Sequence, residues 1–180
     1  VPVLEQTNDI VKKFNALYGT VFGEVKAVVS ETPRLSGVDG KAKMSKSLNN
    51  AIFLSDSPED IEKKVMQMYT DPTHVKVSDP GKEEGNVVFQ YLDIFDEDKS
   101  KVAELKAQYE QGGLGDVVIK QRLIAVLNDV LGPIREKREA LARDPKRIME
   151  LLKAGTEKAR EEARKTMDEV KRALKIGYFE

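Results

Sequence analysis

Cysteine is absent from this chain of 180 residues, so disulfides and thiolate metal sites are excluded. The absence fits a reducing compartment, although many secreted domains also do without cysteine. Histidine occurs once, as His74 in the run Pro72-Thr73-His74-Val75. Its ordinary reading is a turn residue. Apolar runs are short, and none approaches the roughly 20 residues of a membrane-spanning helix. A dominant charge is missing too. Thirty Lys and Arg against 31 Asp and Glu leave a net of −1, which does not advertise nucleic-acid binding by the chain as a whole. No secretory signal opens the sequence, because Val1-Pro2-Val3-Leu4 runs straight to Glu5 without a basic flank. The first residue is not methionine, and the start reads as a cut rather than a natural beginning. Internal repeats and low-complexity segments are absent as well.

What is present suffices for a core: 40% of the residues are hydrophobic. The length suits one ordinary domain, or one helical domain plus part of another. Ile10, Phe14 and Leu17, with Val11 beside them, predict a first helix that stops at Gly19. Residues 22–29 mix Val, Phe and Ala and predict a short buried strand. Pro33, Gly37 and Gly40 then mark a flexible loop, as a closing lid would need. From Ser57 onward the chain reads as helix throughout. Ser57 caps, Pro58 takes the first helical position, and Ile61, Val65 and Met68 form the stripe. Further helices are predicted over 86–95 and 99–109, ending in the breaker Gly112-Gly113. A long amphipathic helix carries Ile119, Leu123, Val126, Val130 and Ile134. Asp144-Pro145 starts another, with Ile148, Leu151 and Leu152, and a last helix carries Ala159, Ala163, Met167, Val170 and Leu174. All these stripes read as core.

The chemistry concentrates in Lys43-Met44-Ser45-Lys46-Ser47. Two lysines and two hydroxyls within five residues suit a grip on a triphosphate while charge develops on departing diphosphate. An ammonium about 4 Å from a phosphate oxygen gains roughly 4 kcal/mol at an effective dielectric near 20. The hydroxyls and the loop's backbone N–H groups supply further donors. The bland alternative is a solvated Lys/Ser loop. Other phosphate motifs do not fit. Gly40-Lys41 is followed by Ala42 rather than Ser or Thr, and the cluster Gly112-Gly113-Leu114-Gly115 follows a helix rather than a strand.

The pentapeptide matches the ATP loop of class I aminoacyl-tRNA synthetases, and the match extends on both sides. Arg34-Leu35-Ser36-Gly37-Val38-Asp39-Gly40-Lys41-Ala42 leads in and Leu48-Asn49-Asn50 follows. Downstream come Met68-Tyr69-Thr70-Asp71-Pro72, Asp79-Pro80-Gly81, and Gly85-Asn86 before Val87-Val88-Phe89. Then come Gly112-Gly113-Leu114-Gly115-Asp116, Pro133-Ile134-Arg135-Glu136 and the closing Gly177-Tyr178-Phe179. In this order the chain resembles the carboxy-terminal half of tryptophan–tRNA ligases along nearly its whole length. The tyrosine enzymes are the nearest relatives.

The resemblance implies a mainly α fold: the end of a Rossmann-like nucleotide-binding domain over residues 1–55, then a helical tRNA-binding domain over 56–180. It implies ATP and L-tryptophan as substrates, tRNA(Trp) as partner, a cytoplasmic homodimer in the intact enzyme, and no membrane. Lys43 and Lys46 would be catalytic, holding the β- and γ-phosphates. Ser45 and Ser47 would donate hydrogen bonds to the nucleotide, and the Met44 backbone and Leu35 would lie toward adenine. ATP chemistry implies Mg²⁺, for which no carboxylate here is identifiable as ligand. The family's His-rich turn and its Gly-x-Asp-Gln element have no counterpart in this sequence, so the chain would hold one side of a site and be inactive alone. The basic excess over 134–175, fourteen Lys and Arg against nine Asp and Glu, would then meet tRNA phosphates. Charge alone favours a solvated helix laced with ion pairs. A tyrosine–tRNA ligase and a non-catalytic tRNA-binding module remain the alternatives.

Overall fold

The computed structural model describes residues 1–30, 32 and 34–178. Pro33 and Phe179, which entered the loop and closing-motif readings, lie outside the described residues. The helices are α1 (Pro2–Tyr18), α2 (Pro58–Met66), α3 (Val87–Phe95), α4 (Lys99–Gln111), α5 (Asp116–Ala142) and α6 (Pro145–Leu174). They belong to two compact units, Thr32–Ala140 and the pair of segments Val1–Glu31 and Leu141–Glu180. Among the described residues no helix is long and apolar enough to cross a membrane.

In the larger unit, three helices start where a short polar side chain accepts an N–H that the helix cannot satisfy itself. Ser57 Oγ accepts from Asp60 N at 3.1 Å, Asn86 Oδ1 from Val88 N at 3.0 Å, and Asp98 Oδ1 from Lys101 N at 2.9 Å. These starts fall where the sequence predicts them. The helices bury Ile61, Val65, Val88, Phe89, Leu92, Leu105, Tyr109, Ile119 and Leu123 in one core. Each such apolar side chain contributes about 1.5–3 kcal/mol on leaving water. Leu35, Val38, Met44 and Ile52, all from the segment before α2, pack on this core. The loop that carries the pentapeptide is thereby laid on the helices.

The smaller unit departs from expectation twice. Residues 22–29 form no strand. A strand needs a neighbour to exchange hydrogen bonds with, and the described residues contain only one isolated bridge, elsewhere in the chain. Side chains of α1 take the neighbour's place. Asn8 exchanges two bonds with Val25, through N at 2.8 Å and O at 2.9 Å. Asn15 Oδ1 accepts from Val21 N and Phe22 N, while its Nδ2 donates to Phe22 O at 2.8 Å. Phe14 and Phe22 add an edge-on ring contact at 5.1 Å. The extended segment is tied to a helix face instead of a sheet.

The second departure is α6, one continuous helix where the sequence predicts two. Asp144 caps it as predicted, accepting from Arg147 N at 3.1 Å. Yet none of its residues is buried, and Leu151 and Leu152 are 60% and 59% exposed. The helical period holds, but the stripe from Ile148 to Met167 stands exposed and only Val170 and Leu174 near the end are half-buried. Its charges pair along the helix, Arg160 with Glu157 at 3.4 Å and Lys165 with Glu162 at 2.7 Å.

Candidate functional site

Residues 35–44 double back on themselves. Met44 N donates to Leu35 O at 3.0 Å, Gly37 N to Ala42 O at 2.8 Å, and Ser36 and Lys43 form an antiparallel bridge. Gly40 closes the tip with φ +66°, donating to Gly37 O at 3.0 Å. That conformation favours glycine, and a side chain there would also press on Tyr69 and Val87. Gly37 is a close-approach site of another kind, since a Cβ would stand 2.1 Å from the Asn50 amide nitrogen. Both glycines, read from sequence as flexibility, serve close packing.

Beyond Met44 the chain turns through Asn49, whose φ of +52° suits asparagine. Ser45 N donates to Asn50 Oδ1 at 2.8 Å and Val38 N to Asn50 O at 2.9 Å. Asp39, at the opposite end of the hairpin, is pushed up by partial burial. Hydrogen bonds from the Asn50 amide and the Lys41 and Ala42 backbone outweigh this and hold its carboxyl below the usual range. From the helical core, the Tyr91 hydroxyl donates to Ser36 O at 2.6 Å. Burial pushes that phenol far above its ordinary pKa, so it stays a donor throughout the working range.

This framework presents Lys43, Lys46 and Ser47 to solvent and leaves Met44, Ser45 and Leu35 half-buried. The Ser45 and Ser47 hydroxyls lie 2.9 Å apart and bond to each other. Among the described residues neither Lys43 nor Lys46 is paired with a carboxylate. Such lysines are free to meet an anion. The Met44 N–H is already used by Leu35, which leaves the Met44 carbonyl as its available backbone group. No group of three or more His, Asp and Glu among the described residues could hold a metal ion. An open cleft of about 540 Å³ lies beside the hairpin, lined by Ser36, Gly40, Asn86, Phe89 and Lys106 among others. Lys106 is engaged there by Glu83 at 3.1 Å and Asp93 at 2.8 Å.

The motifs at 70–72 and 112–116 are brought together as a part-buried polar brace. Thr70 Oγ1 donates to Asp116 Oδ2 at 2.7 Å and the Tyr109 hydroxyl to Asp116 Oδ1 at 2.8 Å. Asp71 accepts from Thr73 N and Lys82 N. His74 belongs to this brace. It lies in a turn as expected, but its side chain is only 2% exposed, 3.4 Å from Asp116 and edge-on to Tyr109. No local pattern around a turn histidine announces such burial.

A family model described as tRNA synthetases class I (W and Y) matches residues 2–132. The tryptophan–tRNA ligase of Lactococcus lactis is 52% identical over 99% of this chain and 54% of its own length. That of Clostridium longisporum is 50% identical over 99% of this chain and 53% of its length. Among solved structures, the tryptophanyl-tRNA synthetase of Campylobacter jejuni complexed with ADP and tryptophan matches with a TM-score of 0.74. It is 32% identical, over 95% of this chain and 53% of that one. The chain spans about half the length of the relatives it matches.

Proposed function

Because this chain belongs to the class I tRNA synthetases of the tryptophan and tyrosine group, we propose that it is the carboxy-terminal half of an enzyme that activates tryptophan with ATP. The products of that step are tryptophanyl-adenylate and diphosphate, and the aminoacyl group then passes to tRNA(Trp). One observation carries the reading. The pentapeptide's two lysines stand exposed and unpaired on a hairpin braced against the core, in a chain about half identical to tryptophan–tRNA ligases.

The chemistry is an in-line attack of the amino-acid carboxylate on the α-phosphate, with diphosphate leaving. The protein's part is positioning and charge stabilisation. Lys43 and Lys46 hold the β- and γ-phosphates and meet the charge that grows on the leaving group. One aimed donor of this kind is worth about 3 kcal/mol in the transition state. Ser45 and Ser47 exchange their mutual hydrogen bond for bonds to the nucleotide. The Met44 carbonyl and Leu35 lie toward adenine. Mg²⁺ has no ligand set among the described residues. Residues 1–55 close the nucleotide-binding domain of a cytoplasmic homodimer, and residues 56–180 receive tRNA. Membership of the family supports that last assignment, and the basic excess over 134–175 is compatible with it.

The test is ATP–diphosphate exchange by the full-length protein with tryptophan, with tyrosine and with no amino acid. Exchange with tryptophan alone supports the proposal. Exchange with tyrosine moves the specificity and keeps the lysine roles. No exchange with either, from folded protein, leaves a tRNA-binding module.

A further inference from the structure

Asn50 is 3% exposed, and one side-chain amide there touches three separate points of the hairpin. Its Oδ1 accepts from Ser45 N at 2.8 Å, and its Nδ2 donates to Asp39 Oδ1 at 3.2 Å and Lys43 O at 3.4 Å. Its own carbonyl accepts from Val38 N at 2.9 Å. Lys43 O and Ser45 N flank Met44, so the amide grips the backbone on both sides of the pentapeptide's second residue. Gly37 leaves room for this grip by lacking a Cβ.

Only an amide combines the required acceptor and donors in one planar group. An aspartate of the same shape would keep the bond from Ser45 N. It would turn an oxygen toward the Asp39 carboxylate and another lone pair toward Lys43 O. We propose that Asn50 is a positioning residue for phosphate gripping: its amide sets the backbone from which Lys43 and Lys46 reach the leaving diphosphate. Tyr91, through Ser36 O, holds the other side of the same hairpin. The inference rests on the ATP-loop reading above. Asn50 acts through the backbone of the loop and not on a reacting atom.

The physical consequence is a loss in the chemical step rather than in substrate recognition. A misplacement of about 1 Å costs on the order of a hundredfold in rate. The experiment compares wild type, Asn50→Asp, Tyr91→Phe and the exchange double variant Asp39→Asn/Asn50→Asp, all in the full-length protein. Steady-state exchange, the apparent KM for tryptophan, thermal midpoint and amide hydrogen exchange over residues 36–50 are measured together.

Asn50→Asp is expected to lower kcat by about ten- to a hundredfold with the KM for tryptophan unchanged. Amide exchange in the loop should be faster. The double variant, which restores a donor facing an acceptor between positions 39 and 50, should recover part of the loss. Tyr91→Phe should give a smaller kcat effect in the same direction. Asn50→Asp turnover within twofold of wild type would overturn the proposal. So would a loss matched by a lowered thermal midpoint with no recovery in the double variant, since that describes general destabilisation. Inactive wild-type protein would instead sink the functional reading, and that outcome is distinct from both.

Discussion

Lys46→Ala in the full-length protein is expected to lower exchange turnover by about a hundredfold or more, with a smaller rise in the apparent KM for ATP. An effect confined to KM would mean that the lysine grips ground and transition states equally. A second residue-level expectation concerns Asp96, which caps α3 and is held by Arg122 at 2.8 and 2.9 Å. The guanidinium's hydrogen bonds, against the opposing push of burial, keep this carboxyl below its ordinary value. A depressed carboxylate stabilises the fold above its unfolded pKa, and that stability is lost as pH falls through the folded value. Stability measured by urea unfolding should therefore hold down to about pH 4 and fall below it. Arg122→Ala should cost on the order of 2 kcal/mol at pH 7 and flatten the acid-side fall. At this scale the sequence was uneven to read. Lys43 to Ser47 are contiguous, so a candidate phosphate grip can be proposed from the string alone. Asn50 and Tyr91 do not, because their partners at 36, 39, 43 and 45 converge only once the hairpin lies on the core. His74 escaped for the same reason.

Elements were legible where the signal is local. Caps at Ser57, Asn86 and Asp144 act within three residues, so α2, α3 and α6 begin where the side-chain chemistry says they must. Ser57→Ala should accordingly destabilise the larger unit by about 1 kcal/mol, read as a shifted urea midpoint with unchanged slope. The segment 22–29 failed as a strand for a non-local reason. Its composition suits a sheet, but a ladder needs a second strand, and the side chains of Asn8 and Asn15 supply the bonds instead. α6 shows the same limit from the other side. Spacing of four and three reports helix faithfully, while what covers the apolar face is a property of neighbours.

For the molecule as a whole, the isolated 180 residues are expected to give no tryptophan-dependent ATP–diphosphate exchange above background. Detecting normal exchange would overturn the expectation that these residues hold only one side of the site. If 134–175 meets tRNA phosphates, the affinity of the full-length protein for tRNA(Trp) should fall steeply between 50 and 200 mM salt, by about tenfold or more. A flat dependence would return this helix to a solvated surface. The larger unit carries one more implication. Its hairpin is gripped by Asn50, hung from Tyr91 and seated through Leu35, Val38 and Met44 on the same core as α2–α5. In mechanical terms Lys43 and Lys46 are tools mounted on a handle. A displacement of α3 would carry the hairpin and both ammonium groups with it, because Tyr91 of α3 holds Ser36 and the hairpin's apolar residues sit on the same core.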